Sequence, residues 1–233
     1  MIIEGRNSVE QILGTDQTIE KILINKEAHG DLVEAIKSSG HRYQFVDKVV
    51  LDKMSVSKNH QGFIAVVSEF EYAEIEDIVT SEENQVVLIL DGVEDPHNLG
   101  NIVRTAECMG VGGIVIPKNR SVHVTETVVR VSAGATSHTK IAKVTNINQT
   151  IESLKKQGFW VYACELGGTK LSYEKFSGKV AIVMGGEDKG VSQLTKKLCD
   201  KIVTIPMFGK TNSLNVANAT AMVLYEIRRQ GKR

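Results

Sequence analysis

The chain has 233 residues, 42% of them hydrophobic and only 5% aromatic, enough for one large or two small cores built from Val, Ile, Leu and Ala, and too apolar for disorder. Lysine plus arginine and aspartate plus glutamate both total 28, which excludes a global positive field drawing the protein onto nucleic acid, so any such contact must use a local basic patch. Cys108, Cys164 and Cys199 are odd in number and widely spaced, which argues against a disulfide framework or a structural metal and for reduced thiols. The N-terminus has no signal-peptide core, and no apolar run approaches the roughly 20 residues that cross a bilayer, so a soluble cytoplasmic protein is expected.

In chain order, residues 1–68 alternate helical and β-rich runs, SVEQIL, KILIN, HGDLVEAIKSSG, YQFV and GFIAVVS, the pattern of a small α/β domain. Residues 69–85, EFEYAEIEDIVTSEENQ, are acidic and irregularly spaced and read as a linker. From Val86 to the end at residue 233, the apolar strands VVLILD, GIVIP, WVYACE, AIVMG and KIVTIP are separated by helix-length segments, as in a parallel sheet covered on both faces. The last segment, Ser213 to Arg229, carries Leu214, Ala217, Ala221 and Leu224 at helical spacing. Val216, Val223 and Ile227 add a second stripe, so this helix needs two partners. One is its own sheet; the small residues Ala217, Ala219 and Ala221 suit a second helix, and a homodimer is expected.

Three polar constellations follow strands. Asp91-Gly-Val-Glu-Asp-Pro-His-Asn98-Leu-Gly100-Asn-Ile-Val-Arg104 opens a helix for which Asn98 is the expected N-cap, and Arg104 could lean back toward the loop carrying Asn98. The simpler alternative is that Asn98 only caps and Arg104 only pairs with Glu107. In Ile182-Val-Met-Gly185-Gly186-Glu187-Asp188-Lys-Gly190, paired glycines permit close backbone approach to a ligand and the acidic residues suit hydroxyl or amine groups. A plain turn gives the same string, and the loop has neither a dinucleotide nor a P-loop signature. Ile205-Pro-Met207-Phe-Gly209-Lys-Thr-Asn-Ser213-Leu214-Asn215 ends a strand and leads into the last helix, with Ser213 as expected N-cap. In an open α/β sheet ligands bind outside the carboxyl ends of the strands, so all three loops share the default site. The residues alone do not identify the ligand.

Taken in order, N-L-G-N-I-V-R-T-A, M-G-G-E-D-K-G and I-P-M with S-L-N-V downstream closely resemble the three motifs of the SpoU/TrmH (SPOUT) family of RNA ribose 2′-O-methyltransferases, over roughly residues 86–230. The entry D-G-V-E-D-P-H-N-L-G further resembles the RlmB branch, which modifies a guanosine of 23S ribosomal RNA. The resemblance implies a trefoil-knotted α/β catalytic domain over 86–233 with a mostly parallel sheet. It also implies S-adenosylmethionine as methyl donor, no metal, and a dimer whose site borrows residues across the interface. Carried onto this chain, the cofactor contacts are Gly185, Ile205 and Leu214, with Gly186, Met207 and Cys164 nearby. The catalytic positions are Asn98, Arg104, Glu187, Ser213 and Asn215.

Residues 1–68 resemble the ribosomal-protein-like RNA-binding domain of the same branch, through G-R-N-S-V near Gly5 and N-H-Q-G-F at Asn59 to Phe63; Arg6, Lys58 and His60 would be its RNA contacts. In the implied reaction Arg104 holds the phosphate beside the target ribose and stabilises charge on the 2′-oxygen, Asn98, Ser213 and Asn215 orient it, and Glu187 positions or helps to deprotonate it. A transfer RNA methyltransferase and a non-catalytic RNA-binding assembly factor are the competing readings.

Overall fold

The computed structural model describes residues 1–15, 18–83, 85–187 and 189–231. It divides into two compact units, Met1–Glu71 with Val124–Ser137, and Tyr72–His123 with His138–Arg233.

The first unit runs β1 (Ile2–Glu4), α1 (Arg6–Ile12), β2 (Ile19–Asn25), α2 (Asp31–Ser38), β3 (Tyr43–Val46), α3 (Lys48–Met54) and β4 (Phe63–Val67). Its sheet has the order β1-β4-β2-β3, with β4 antiparallel to both neighbours and β2 parallel to β3. The parallel pair needs a crossover, and α2 provides it. This helix buries Leu32, Val33 and Ile36 and carries Asp31 and Glu34 in its first turn, where acidic groups suit the helix dipole. The sequence pattern gave no warning of β1, which is three residues long, or of α3, which buries only Leu51.

The second unit begins inside the acidic stretch that reads as a linker in the sequence. α4 (Ile75–Ile78) places Ile78, fully buried, in the main core, and the Gln85 side chain, 2% exposed, donates to Ile78 O and accepts the Thr80 N–H at 3.0 Å. From Tyr72 onward this stretch is therefore part of the folded unit, packed by one isoleucine and one amide that the surrounding acidic residues obscure.

Next come β5 (Val86–Asp91), α5 (Pro96–Cys108) and β6 (Gly113–Pro117); the following α6 (Glu126–Val131) belongs to the first unit. There the Glu126 carboxylate accepts the Ile2 N–H at 2.8 Å, and burial raises its pKa above the usual carboxylate value. The second unit resumes with β7 (Ile141–Val144), α7 (Ile147–Lys156), β8 (Trp160–Lys170), β9 (Val180–Gly185), α8 (Gln193–Leu198), β10 (Lys201–Thr204) and α9 (Val216–Gln230).

All six strands of this sheet are parallel, in the order β10-β8-β9-β5-β6-β7. Its central strands are buried throughout, Val86–Leu90, Ile114–Ile116 and Val180–Met184, as a sheet covered on both faces requires. The chain moves outward from β5 to β7, then crosses back to β8 before laying β9 against β5. This reversal sets Asp91 opposite Gly185 at the carboxyl ends of neighbouring strands, a topological switch point where open α/β sheets bind ligands.

α9 buries Val216, Ala217, Thr220, Val223, Leu224 and Ile227 and packs against both β9 and α5. The second apolar stripe, for which the sequence suggested another chain, thus finds a partner within its own. Arg228 fixes the far end by donating from Nε to Met109 O at 2.6 Å. Met222 and Tyr225 stay exposed on the outer face.

Candidate active site

Three loops meet at the switch point. In the first, Asp95 is the N-cap of α5, its carboxylate accepting the His97 N–H at 2.8 Å, and Pro96 fills the first turn. Asp-Pro outcompetes Asn98 for the helix start, because proline is preorganised there and needs no N–H partner. Asn98 consequently lies inside the first turn, 6% exposed, with its amide free for other work. Its Nδ2 donates to the Glu187 carboxylate and its Oδ1 accepts from Asn215 Nδ2 at 2.8 Å.

Asn215 is the N-cap of α9, in place of the expected Ser213. Its Oδ1 accepts the N–H groups of Ala217 and Asn218 at 2.9 and 3.4 Å. The cap orients the amide so that Nδ2 faces Asn98, and the helix start and the site share one residue. Asn98, Glu187 and Asn215 thus form a hydrogen-bonded chain across three loops. Each amide nitrogen keeps a second hydrogen for a ligand, and among the described residues the second Glu187 oxygen has no partner.

The glycine loop is braced at both ends. Gly186 N donates to Asp91 O at 2.9 Å and Ser192 N to Asp91 Oδ2 at 3.0 Å, while Val191 N donates to Glu165 Oε2 at 3.1 Å. A Cβ on Gly186 would stand 2.0 Å from Gly92 O, and one on Gly185 2.1 Å from Gly190 C. Both glycines are demanded by this folding of the loop on itself and on the turn after β5. Asp188 lies outside the described residues. Sequence reasoning assigned no role to Asp91, Asp95 or Glu165; the Asp-Pro pair signals the cap, whereas no local pattern marks Glu165.

Of the positions expected to hold a cofactor, Gly185 and Gly186 are in this loop and Cys164 pairs with Met184 just before it. Ile205 is buried, Met207 half-buried, and Leu214 is 39% exposed, as are Leu166 and Phe208 at 58% and 96%. Pro206–Leu214 makes no backbone hydrogen bond to other main chain among the described residues, leaving its N–H and C=O groups available. β10 skips Cys164–Gly168 in its pairing with β8. Burial, with Glu165 nearby, pushes the Cys164 thiol up to about 12, so it stays neutral at physiological pH. Unpaired backbone groups beside apolar side chains fit a ligand with a flat heteroaromatic ring and a polar edge.

A model of the SpoU rRNA methylase family matches residues 85–225, the span that contains all three loops. The chain belongs to this family, whose members are RNA 2′-O-ribose methyltransferases. A model for the RNA 2′-O ribose methyltransferase substrate-binding domain matches residues 2–73. The chain is 40% identical over 99% of its length to a Staphylococcus saprophyticus protein assigned to the TrmH family of tRNA/rRNA methyltransferases, covering 96% of that relative. A Bacillus subtilis relative with the same assignment is 38% identical, with 97% of this chain and 94% of the relative covered. Among solved structures, the SpoU methyltransferase AviRb of Streptomyces viridochromogenes, in complex with AdoMet, superposes with a TM-score of 0.86 at 21% identity, covering 99% of this chain and 89% of that one. An AdoMet-bound rRNA methyltransferase from Sinorhizobium meliloti gives 0.80 at 25% identity, with 98% and 86% covered.

Of the five catalytic positions matched to the family motifs, the chain by itself joins Asn98, Glu187 and Asn215. Ser213 is exposed and has no partner among the described residues. Arg104 is also exposed, with neither Asn98 nor Glu107 as partner. Six residues beyond Asn98, it projects about 120° away around the helix, too far round to reach back as the sequence suggested.

In the substrate-binding domain, Lys58 is exposed with φ of 57° and Arg6 is partly buried. His60 departs from expectation. It is 5% exposed, with Nε2 at 2.9 Å from Asp52 Oδ1 and Nδ1 accepting the Gly62 N–H at 3.0 Å. The ring closes the Asn59–Phe63 turn from inside, and its two partners leave neither nitrogen free for the RNA contact expected of it.

Proposed function

We propose that this protein transfers a methyl group from S-adenosylmethionine to the 2′-hydroxyl of a guanosine in 23S ribosomal RNA, as a member of the RlmB-like branch. The observation that carries the catalytic assignment is Asn98, buried at the switch point and held between Glu187 and Asn215. The entry motif Asp91–Gly100 and the substrate-binding domain over residues 1–68, with Arg6 and Lys58 at its surface, support the ribosomal target.

Gly185, Ile205 and Leu214 would hold the cofactor, with Gly186, Met207 and Cys164 beside it, inside the knot that the family implies. The unpaired backbone of Pro206–Leu214 and the exposed apolar Leu166 and Phe208 fit an adenine ring and its polar edge. When bound, the cofactor supplies an electrophilic methyl carbon on a sulfonium. The residues of the chain orient the nucleophile: the remaining amide hydrogens of Asn98 and Asn215 hold the ribose oxygens, and the open Glu187 oxygen accepts the 2′-hydroxyl hydrogen as charge develops. Ser213, two residues before the cap, can reach the ribose from the loop.

Arg104 does not approach the cluster of its own chain. In a homodimer through the outer face of α9, where Met222 and Tyr225 are exposed, the partner's Arg104 would supply the positive charge. An arginine, protonated up to a pKa of about 12 or more, acts there by electrostatics and not as a base.

The test is methylation with radiolabelled S-adenosylmethionine of deproteinised ribosomal and transfer RNA from cells lacking the protein, followed by mapping of 2′-O-methyl sites. One modified guanosine in 23S RNA is expected; modification of transfer RNA alone would move the target, and no incorporation into any RNA would overturn the enzyme. Mixed dimers of Asn98→Ala and Arg104→Ala chains should recover activity that neither has alone, because one of their two sites is intact.

A further inference from the structure

Next to the proposed methyl-transfer site, on the β6–β7 side, the same rim opens into a second cleft of about 720 Å³, within the ~300–1,000 Å³ typical of small-ligand sites. It is bounded by the turns after β5, β6 and β7 and by the glycine loop leading into α8, and Glu187 lines it. Glu187 therefore joins the two sites. Of the proposed cofactor positions Gly186 also lines this cleft, whereas Gly185, Ile205, Met207, Leu214 and Cys164 do not.

Its polar groups are anchored so that donors remain open. Asn146 Oδ1 caps α7, accepting the N–H groups of Asn148 and Gln149 at 2.9 and 3.4 Å. Asn148 Oδ1 accepts from the buried Thr195 Oγ1 at 3.1 Å. With both oxygens taken, the amide orientations are fixed and their NH₂ groups have no partner among the described residues. Arg120 also lines the cleft, with its backbone in the left-handed region at φ 57°. Its turn is tied to that after β5, with Val122 N donating to Val93 O at 3.0 Å and Ser121 Oγ to the same oxygen at 3.3 Å.

We infer that this cleft receives an unpaired nucleobase adjacent to the methylated nucleotide, read through its hydrogen-bonding edge by Asn146, Asn148 and Arg120. The inference rests on the methyl-transfer reading above. Fixed amide donors beside the carboxylates Glu94 and Glu187 complement the mixed acceptors and donors of a base edge, and single-stranded RNA is recognised in this way. Among the described residues three acids line the cleft, Asp91, Glu94 and Glu187, against two cations, Arg120 and Lys189, and this excess of negative charge disfavours a phosphate as its occupant. The site would thus select the sequence context of the modified ribose, a task that the catalytic cluster, directed at the sugar, leaves undone.

Arg120→Gly is the diagnostic variant, because glycine keeps the positive φ without strain and removes only the side chain. With deproteinised ribosomal RNA from cells lacking the protein, kcat/KM for RNA should fall about tenfold through KM, as for one lost charge-assisted hydrogen bond. S-adenosylmethionine affinity by calorimetry should hold. Replacing the bases on either side of the mapped site one at a time should weaken wild-type methylation at one neighbour and have a much smaller effect in Arg120→Gly. An RNA KM for Arg120→Gly within twofold of wild type, or equal sensitivity to the neighbouring bases in both proteins, overturns the inference while leaving methyl transfer intact. A wild-type protein that methylates none of the RNA overturns the reading beneath it.

Discussion

Two buried polar side chains, each with two partners, serve opposite ends in this molecule. His60 in the first unit is 5% exposed and bonds Gly62 and Asp52, two and eight residues away; Asn98 in the second is 6% exposed and bonds Glu187 and Asn215, 89 and 117 residues away. Short-range partners close a turn and leave the ring no capacity for a ligand. Long-range partners bring loops from separate strands to one point and leave amide hydrogens and a carboxylate oxygen unused. Burial and polarity are alike in the two places; what separates a closed cluster of hydrogen bonds from one with capacity left for a ligand is where the partners come from and what they leave over.

The sharpest way to break this contrast is Asn98→Ala. RNA methylation should fall by about a hundredfold to a thousandfold, the usual effect of removing an orienting donor at a developing oxyanion. Near wild-type turnover by tritium transfer would reduce Asn98 to a structural link like His60. Arg104→Ala comes next, with a loss of about a hundredfold in turnover. Because Arg104 is exposed and has no partner among the described residues, this variant should unfold within about 0.5 kcal/mol of wild type and bind S-adenosylmethionine normally. A large stability loss would show that its role is packing.

His60→Ala tests the other side. Loss of the ring leaves the Gly62 N–H unsatisfied and should cost about 1–3 kcal/mol, seen as a lower denaturation midpoint of the full chain. RNA affinity measured where the protein is folded should be unchanged within about twofold. Lys58→Ala, at an exposed position of the same loop, should do the reverse, weakening RNA binding and lessening its salt dependence by about one phosphate contact. Weaker RNA binding by folded His60→Ala would return the histidine to the binding surface.

The same contrast explains what the sequence made legible. Continuous apolar runs revealed β5, β6, β8, β9 and β10, because a doubly covered parallel strand needs no polar face. The shorter Ile141–Val144, half buried at the sheet edge, escaped notice, and so did the insertion of β9 between β8 and β5, which no local pattern encodes. The motifs gave the residues of the site but not their geometry. Both expected caps were displaced, Asn98 by Asp95 and Ser213 by Asn215, because several residues near each helix start can cap it and tertiary partners decide among them. Ile78 and Gln85 were hidden in an acidic stretch, and Glu165 is joined to the glycine loop only by the fold.

The smallest expected effect separates the β8 side of the sheet, where the cofactor is proposed to bind, from the rest by pH. Burial pushes the thiols of Cys164 and Cys199 from 9.0 to about 12 and the Tyr162 hydroxyl from 10.0 to about 12. In the unfolded chain these groups lose their protons near their ordinary values, while the folded chain keeps them. The unfolded state is thus increasingly favoured as pH rises from about 9 toward 12, and their contribution is fully retained below pH 9. Urea midpoints should be flat between pH 7 and about 8.5 on this account and decline above it. Because Cys164 and Tyr162 lie on β8 and Cys199 follows α8, Cys164→Ala and Cys199→Ala should each flatten the alkaline decline, whereas Cys108→Ala, at an exposed position on α5, should leave it as it is. An equal slope in all three variants would place the alkaline weakness elsewhere, and with it the claim that these thiols are held neutral by the packing that carries the glycine loop.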